Sequence, residues 1–229
     1  MILLAIALVA GAIVQELPPG ASVIERADIS AIAGVPREMI LWTPDGKLEE
    51  SAAWSCAADV YGSVFWRGSF RVSLIDSGQR RIVNTVELDQ YLDAVPVTFL
   101  RRSHPLYPTS VGGSKARILT LNDLTGNGVA SDFALLSYVH CGSVMSTALG
   151  YDKQADRVVH YSIEAPGEEP HFWVSQVFAH KQVRPGVWDF VDSGHGSEHM
   201  TRLRLKFDNA RRVFVDESVD VPNHHKSSH

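Results

Sequence analysis

A chain of 229 residues that is 45% hydrophobic has ample material for a core, and scaling of surface with size allows one large domain or two small ones. The net charge of −5 and pI near 6.0 come from acidic and basic residues mixed along the whole length. With no basic stripe and no basic amphipathic helix, nucleic acid and helix-mediated membrane-surface binding are excluded as partner classes.

The N-terminus reads as a signal peptide over residues 1–12. An apolar run from Ile2 to Val14 contains Ala10-Gly11-Ala12, a small-x-small cleavage pattern, although no Lys or Arg precedes it. The run falls short of the ~18 apolar residues that a membrane span needs, and no later segment comes close. The expectation is a secreted or periplasmic protein with no membrane span after cleavage. Residues 13–36, punctuated by Pro18, Pro19 and Gly20, read as an exposed leader, in which a short helix near Ala27 to Ala33 fits but is not required.

Beyond it, apolar runs of period 2 or compact form recur between turn residues. They span Met39 to Trp42, Phe65 to Ile75, Arg81 to Leu88, Ala116 to Leu121, Phe133 to Val139 and Val144 to Tyr151. Further runs follow at Arg157 to Ile163, Phe172 to Phe178, Arg202 to Phe207 and Arg212 to Val215. β-Branched and aromatic residues dominate them, and no stretch of helical length keeps a 3.6 period. Ser77-Gly78 and Asn127-Gly128 are hairpin signals, and crossover helices are missing, so antiparallel pairing is expected. The fold class is all-β, a sandwich or partial propeller-like domain with long surface loops. It occupies residues 37–221 as a single domain, with subdivision points near 93–114 and 165–170 and a flexible tail at 222–229.

Cys56 and Cys141 are the only cysteines. In an exported chain an even number favours a bridge over two free thiols, and closing so long a loop restricts the unfolded chain by roughly 4 kcal/mol in the entropy model.

The segment from Leu119 to Tyr138 carries the most specific chemistry. Asp123, Thr125 and Asn127 alternate as oxygen donors, Gly128 permits a sharp turn, the Val129 carbonyl adds a donor, and Asp132 closes the loop. Calcium takes six to eight oxygens from such a loop. Ala134 stands where an EF-hand would need its bidentate Glu, and the flanks read as strands, so the loop is not an EF-hand. At these residues the segment resembles the FG-GAP and VCBS class of extracellular β repeats, related to integrin α-chain blades, with loops of the form D-x-[DN]-G-D-G-x-x-D. Asp123, Thr125, Asn127 and Gly128 are in register with that pattern, Asp132 comes one residue late, and the loop occurs as a single copy. The resemblance implies calcium at a strand-loop-strand turn. The same residues also suit a plain turn in which Asp123 and Thr125 cap backbone amides.

Other constellations are weaker. Asp192 to His199 gathers a carboxylate, hydroxyls and imidazoles, yet Gly194 and Gly196 disfavour the helix that would bring His195 and His199 together, so a polar connection is the preferred reading. His140 and Cys141 are neighbours on a strand and face opposite ways. The tail from His224 to His229 reads as a frayed terminus before it reads as a metal site. Trp42, Trp54, Trp66, Trp173 and Trp188 could build a carbohydrate-stacking face, but tryptophans in strands are more often core. The function expected is an exported, non-enzymatic binding module for a protein or carbohydrate ligand, with one structural calcium. The alternatives are a secreted hydrolase near Asp192 to His199 and a purely structural envelope protein.

Overall fold

Alternating side chains make strands, and most of the expected runs are strands in the structure, a computed structural model. It describes residues 17–50, 64–88, 98–101, 117–140, 143–175, 177–192 and 200–222. In chain order these carry β1 (Ser22–Asp28), a single helical turn α1 (Ser30–Ala33), β2 (Arg37–Thr43), β3 (Lys47–Glu50), β4 (Val64–Gly68), β5 (Phe70–Asp76), β6 (Arg81–Leu88) and β7 (Thr98–Arg101). There follow β8 (Asp132–His140), β9 (Ser143–Asp152), β10 (Arg157–His160), β11 (Ile163–Glu164), β12 (Val174–Ser175), β13 (Val187–Asp192), β14 (Met200–Asp208), β15 (Val213–Asp216) and β16 (Val219–Val221). The fold is all-β.

The strands form three sheets. The first has the order β1-β2-β5-β6, the second β10-β9-β8-β7-β4-β3 with β12 beside β9, and the third β11-β15-β14-β13 with β16 beside β14. None closes into a barrel. Pairing is antiparallel except between β11 and β15, where Ile163 lies opposite Phe214 and Glu164 opposite Val215. The long connection between these two strands, which holds β12 to β14, supplies the crossover that a parallel pair needs.

In the second sheet β8 and β9 are buried on both faces. Phe133 and Leu135 of β8, with Leu149 and Tyr151 of β9, pack with Met39, Leu41, Phe70 and Leu74 of the first sheet. The opposite face offers the small Ala134 and Ala148 to Trp188, Leu203, Leu205 and Phe214 of the third sheet. Period-2 alternation along β8 and β9 therefore places large residues on one side and alanines on the other. Among the described residues no helix is long and apolar enough to cross a membrane.

Several expectations are revised. Residues 22–33, expected to be an exposed leader, instead form β1 and α1, with Ala27 and Ile29 buried. The Glu25 carboxylate anchors this segment by accepting the N–H groups of Ile118 (2.8 Å) and Leu119 (2.9 Å). Those bonds take the place of a ladder, and Ala116 to Leu121, expected to be a strand, is irregular over its described part, although Ile118 and Leu119 are buried. Phe172 to Phe178 contributes only β12 and a short 3₁₀ turn at Val177–Ala179. Of the tryptophans, Trp42, Trp173 and Trp188 are buried and Trp66 is partly buried, so they are core and not an exposed stacking face. Trp54 lies outside the described residues, as do residues 1–12, expected to be a signal peptide, Cys56, Cys141, residues 193–199 and the tail from 223 onward.

Candidate functional site

The turn from Asp123 to Asp132 is built from its own side chains. Asp123 accepts the N–H groups of Asn127 (2.9 Å) and Gly128 (2.8 Å) on its two carboxylate oxygens, and the Asn127 Oδ1 accepts the N–H of Val129 at 2.7 Å. Gly126 and Gly128 sit at φ +74° and +83°, backbone that only glycine adopts freely. At Gly126 there is also no room, because a Cβ would lie 2.6 Å from the Pro185 carbonyl carbon. The turn is thus pressed onto the segment before β13, and Gln182 bridges the two by donating to the Asp123 carbonyl (2.7 Å) and accepting the Gly186 N–H (2.7 Å).

Asp132, at the start of β8, lies beneath this turn with 0% exposure. Its Oδ2 accepts the N–H groups of Leu124 and Thr125, both at 3.1 Å, and the Thr125 hydroxyl at 3.0 Å. Its Oδ1 accepts the Tyr161 hydroxyl at 3.0 Å and the Ser131 hydroxyl at 3.4 Å. Gly150, opposite Asp132 in the ladder, leaves the space this pair needs: a Cβ there would lie 2.2 Å from Asp132 Oδ1 and 2.5 Å from the Tyr161 oxygen.

Burial pushes the Asp132 carboxyl above its ordinary value, against the pull of the donors from Thr125, Tyr161 and Leu124. Burial, then the neighbouring Asp132 charge, pushes the Tyr161 phenol up as well. The Arg212 guanidinium stands beside Tyr161 and pairs with Asp152 at 2.6 Å. Partial burial works to raise Asp152, but Arg212 and the turn amides of Ala155 and Gln154 outweigh it and hold that carboxyl below its usual range. A continuous polar chain therefore runs from Thr125 through Asp132, Tyr161 and Arg212 to Asp152.

Above this chain opens a cavity of about 640 Å³, lined by Asn127 and Val129 of the loop, Lys153 and Gln154 of the β9–β10 turn, and Asn209 and Phe207 of the third sheet. Its rim mixes amides, one ammonium group and apolar surface.

As the loop stands, its oxygens are those of a self-capped turn. Those of Asp123, Asn127 and Asp132 all accept N–H or O–H groups, and the Thr125 hydroxyl donates. An ion bound here would take the place of those donors. Asp123 and Asn127 lie on the solvent side of the turn, whereas Thr125 and Asp132 are buried. Among the described residues no group of three or more His, Cys, Asp or Glu converges as a metal cluster.

Comparison with protein-family models, curated proteins and solved structures finds no match. The sequence had pointed to the loop but not to Tyr161, Arg212 or Gln182, which carry no local motif. Gly150, inside an apolar strand, was the available signal, since such a glycine often marks a close approach by another group.

Proposed function

We propose that this protein is an exported binding module without catalytic activity, whose ligand seat is the cavity beside the Asp123 to Asp132 loop. One observation carries the reading. The loop, the β9–β10 turn and the β14–β15 turn come from different parts of the chain and converge on one cavity of mixed polar and apolar lining, with a locked hydrogen-bond chain as its floor. Such convergence of polar groups on a preformed concavity is how small-ligand sites are built. The chain beneath supplies rigidity; Asp132 is surrounded by donors and shielded from the cavity. Amide resonances of isotope-labelled protein, followed during titration with neutral hexasaccharides and with short peptides, test the reading. Shifts are expected to cluster on Asn127, Lys153, Gln154 and Asn209, and shifts scattered over the surface would count against a seat there.

Calcium is the second part of the proposal, supported by the half-buried Asp123 and the exposed Asn127 and Val129 on the solvent side of the turn, and by the FG-GAP-like spacing. With so few carboxylates the affinity would be about 10⁻⁴ to 10⁻³ M, useful only where calcium is abundant. Binding would raise the melting temperature in millimolar calcium relative to chelator. A wild-type melting curve that is the same in chelator and in millimolar calcium would exclude it, and Asp123→Ala is expected to lose the calcium-dependent shift whatever its own melting temperature. Bridging of Cys56 and Cys141 belongs to the same exported reading and is tested by thiol titration of the unfolded, unreduced protein.

The hydrolase alternative keeps its own test. Esterase, peptidase and glycosidase substrates turned over by wild type and not by a His195→Ala/His199→Ala variant would replace the binding module with an enzyme. A purely structural envelope role would instead leave every ligand and metal titration flat.

A further inference from the structure

A second concavity, of about 500 Å³, lies over β10 and shares Asp152, Tyr161 and Arg212 with the first. His160 lines it. The Thr147 hydroxyl donates to the Phe172 carbonyl at 2.6 Å and lies 2.6 Å from His160 Nε2. A hydroxyl has one proton, and the carbonyl can only accept, so Nε2 must carry the proton in the contact with Thr147. Nδ1 is then the bare nitrogen. It has no partner among the described residues and is not sealed from solvent. The ring is fixed in place by stacking on Phe172, with centroids 4.3 Å apart. Burial lowers the imidazole pKa to about 4, so Nδ1 keeps its lone pair at neutral pH.

The charges around it are mostly spent. Glu87 pairs with Arg71, and Asp152 with Arg212. Arg157 has no ion pair among the described residues and lines the same concavity from the other face of β10. A fixed acceptor and a separate free donor in a nearly neutral concavity suit a chain of hydroxyl groups, each of which both donates and accepts, spread over more than one sugar ring. An extended peptide is disfavoured by a different feature. β10 is the edge of its sheet, but the Asn84 side chain donates to the Val158 carbonyl (2.8 Å) and accepts the Val158 N–H (2.9 Å). The Val158 backbone groups, at the middle of the edge that strand addition would use, are therefore taken.

We propose that the cleft over β10 is a carbohydrate subsite in which His160 Nδ1 accepts a hydroxyl of a neutral sugar chain and Arg157 donates to a hydroxyl further along that chain. This rests on the binding-module reading and names its ligand class.

The test uses the full chain labelled with ¹⁵N-histidine, titrated separately with hexamers of glucose, mannose and N-acetylglucosamine and with a blocked Val-Thr hexapeptide. At least one saccharide is expected to move the His160 Nδ1 resonance while that of His180 stays still. His160→Gln and Arg157→Gln should each weaken its binding roughly fivefold, the worth of about one hydrogen bond. Because the Nδ1 readout is taken on wild type, poor folding of a variant leaves the test intact. Saccharide-induced shifts confined to Asn127, Lys153 and Asn209, with Nδ1 unmoved, would overturn the subsite and leave the binding module standing. Movement of Nδ1 by the hexapeptide alone would overturn the ligand class. Silence from every probe would overturn the subsite and count against the binding module together.

Discussion

Asp132 is the residue on which most of the local structure converges, and its chemistry can be separated from its shape. Replacing it with alanine strands two buried backbone N–H groups and the Tyr161 hydroxyl, each costing about 1–3 kcal/mol, so Asp132→Ala is expected to lose at least 3 kcal/mol in urea titration. Asparagine can keep its oxygen toward Leu124 and Thr125 and turn its amide toward Tyr161, so Asp132→Asn should stay within about 1 kcal/mol of wild type at neutral pH. The pH dependence has a definite sign. A carboxyl raised on folding binds its proton more tightly in the folded state, so its contribution is present below the unfolded value of 3.8 and is lost as pH rises through the folded value. Asp132→Asn removes that slope, and an unchanged stability profile above pH 3.8 would show that burial does not govern this group. His160 behaves in the other sense. Its pKa falls from 6.5 to about 4 on folding, so stability is full above 6.5 and is lost as pH drops toward 4, by about 3 kcal/mol in all. In His160→Gln this part of the acid limb should flatten.

At the scale of elements, three hairpins repeat one turn. β5–β6, β9–β10 and β14–β15 each begin at an aspartate, Asp76, Asp152 or Asp208, whose side chain accepts turn amides. Each closes on a left-handed residue that is not glycine: Arg80 at φ 53°, Asp156 at 47° and Arg212 at 60°. Backbone of this kind costs an ordinary residue roughly 1 kcal/mol. Arg80 has no side-chain partner among the described residues, so Arg80→Gly should leave stability unchanged or raise it by about 0.5 kcal/mol after the added freedom of the unfolded chain is counted. Arg212→Gly relieves the same strain but removes the partner of Asp152 and the neighbour of Tyr161, and it should destabilise. Equal thermal shifts for the two variants would refute the distinction.

The strands themselves were legible because period-2 alternation is a local property, of apolar with polar residues in Phe70–Asp76 and of large with small ones in Ser143–Asp152. β1 was not, because one of its anchors, the Glu25 carboxylate on Ile118 and Leu119, joins segments remote in sequence. The candidate site was half legible for the same reason. The capping bonds of Asp123 are local and follow from residue type, whereas the contacts of Asp132 with Tyr161, and of Arg212 with Asp152, exist only once the second and third sheets pack. The cleft over β10 gave no sequence signal at all, since His160, Thr147 and Phe172 share no motif.

Across the whole molecule, the β9–β10 turn joins all three sheets by charge. Asp156 receives Arg37 of the first sheet on two nitrogens, at 3.0 and 2.7 Å, together with the Tyr151 hydroxyl at 2.9 Å, while Asp152 receives Arg212 of the third. Arg37 also pairs with Asp76 at 3.0 Å. Whether these pairs hold the sheets together or only align them is a question of magnitude. Arg37 is 12% exposed but Asp156 is 39% exposed, so solvent screening limits the first pair, and the two clasps together contribute about 2–3 kcal/mol. The apolar contact between the second and third sheets buries Ile163, Trp188, Leu205 and Phe214 completely or nearly so, each worth about 1.5–3 kcal/mol, besides the residues around them. Packing therefore dominates. An Asp152→Ala/Asp156→Ala variant is expected to remain folded and to unfold in one calorimetric transition, lowered by roughly 5–10 °C. Two resolved transitions, with the amides of Leu203, Leu205 and Phe214 exchanging at lower free energy than those of Met39 and Leu41, would show instead that the charged turn makes the three sheets a single cooperative unit.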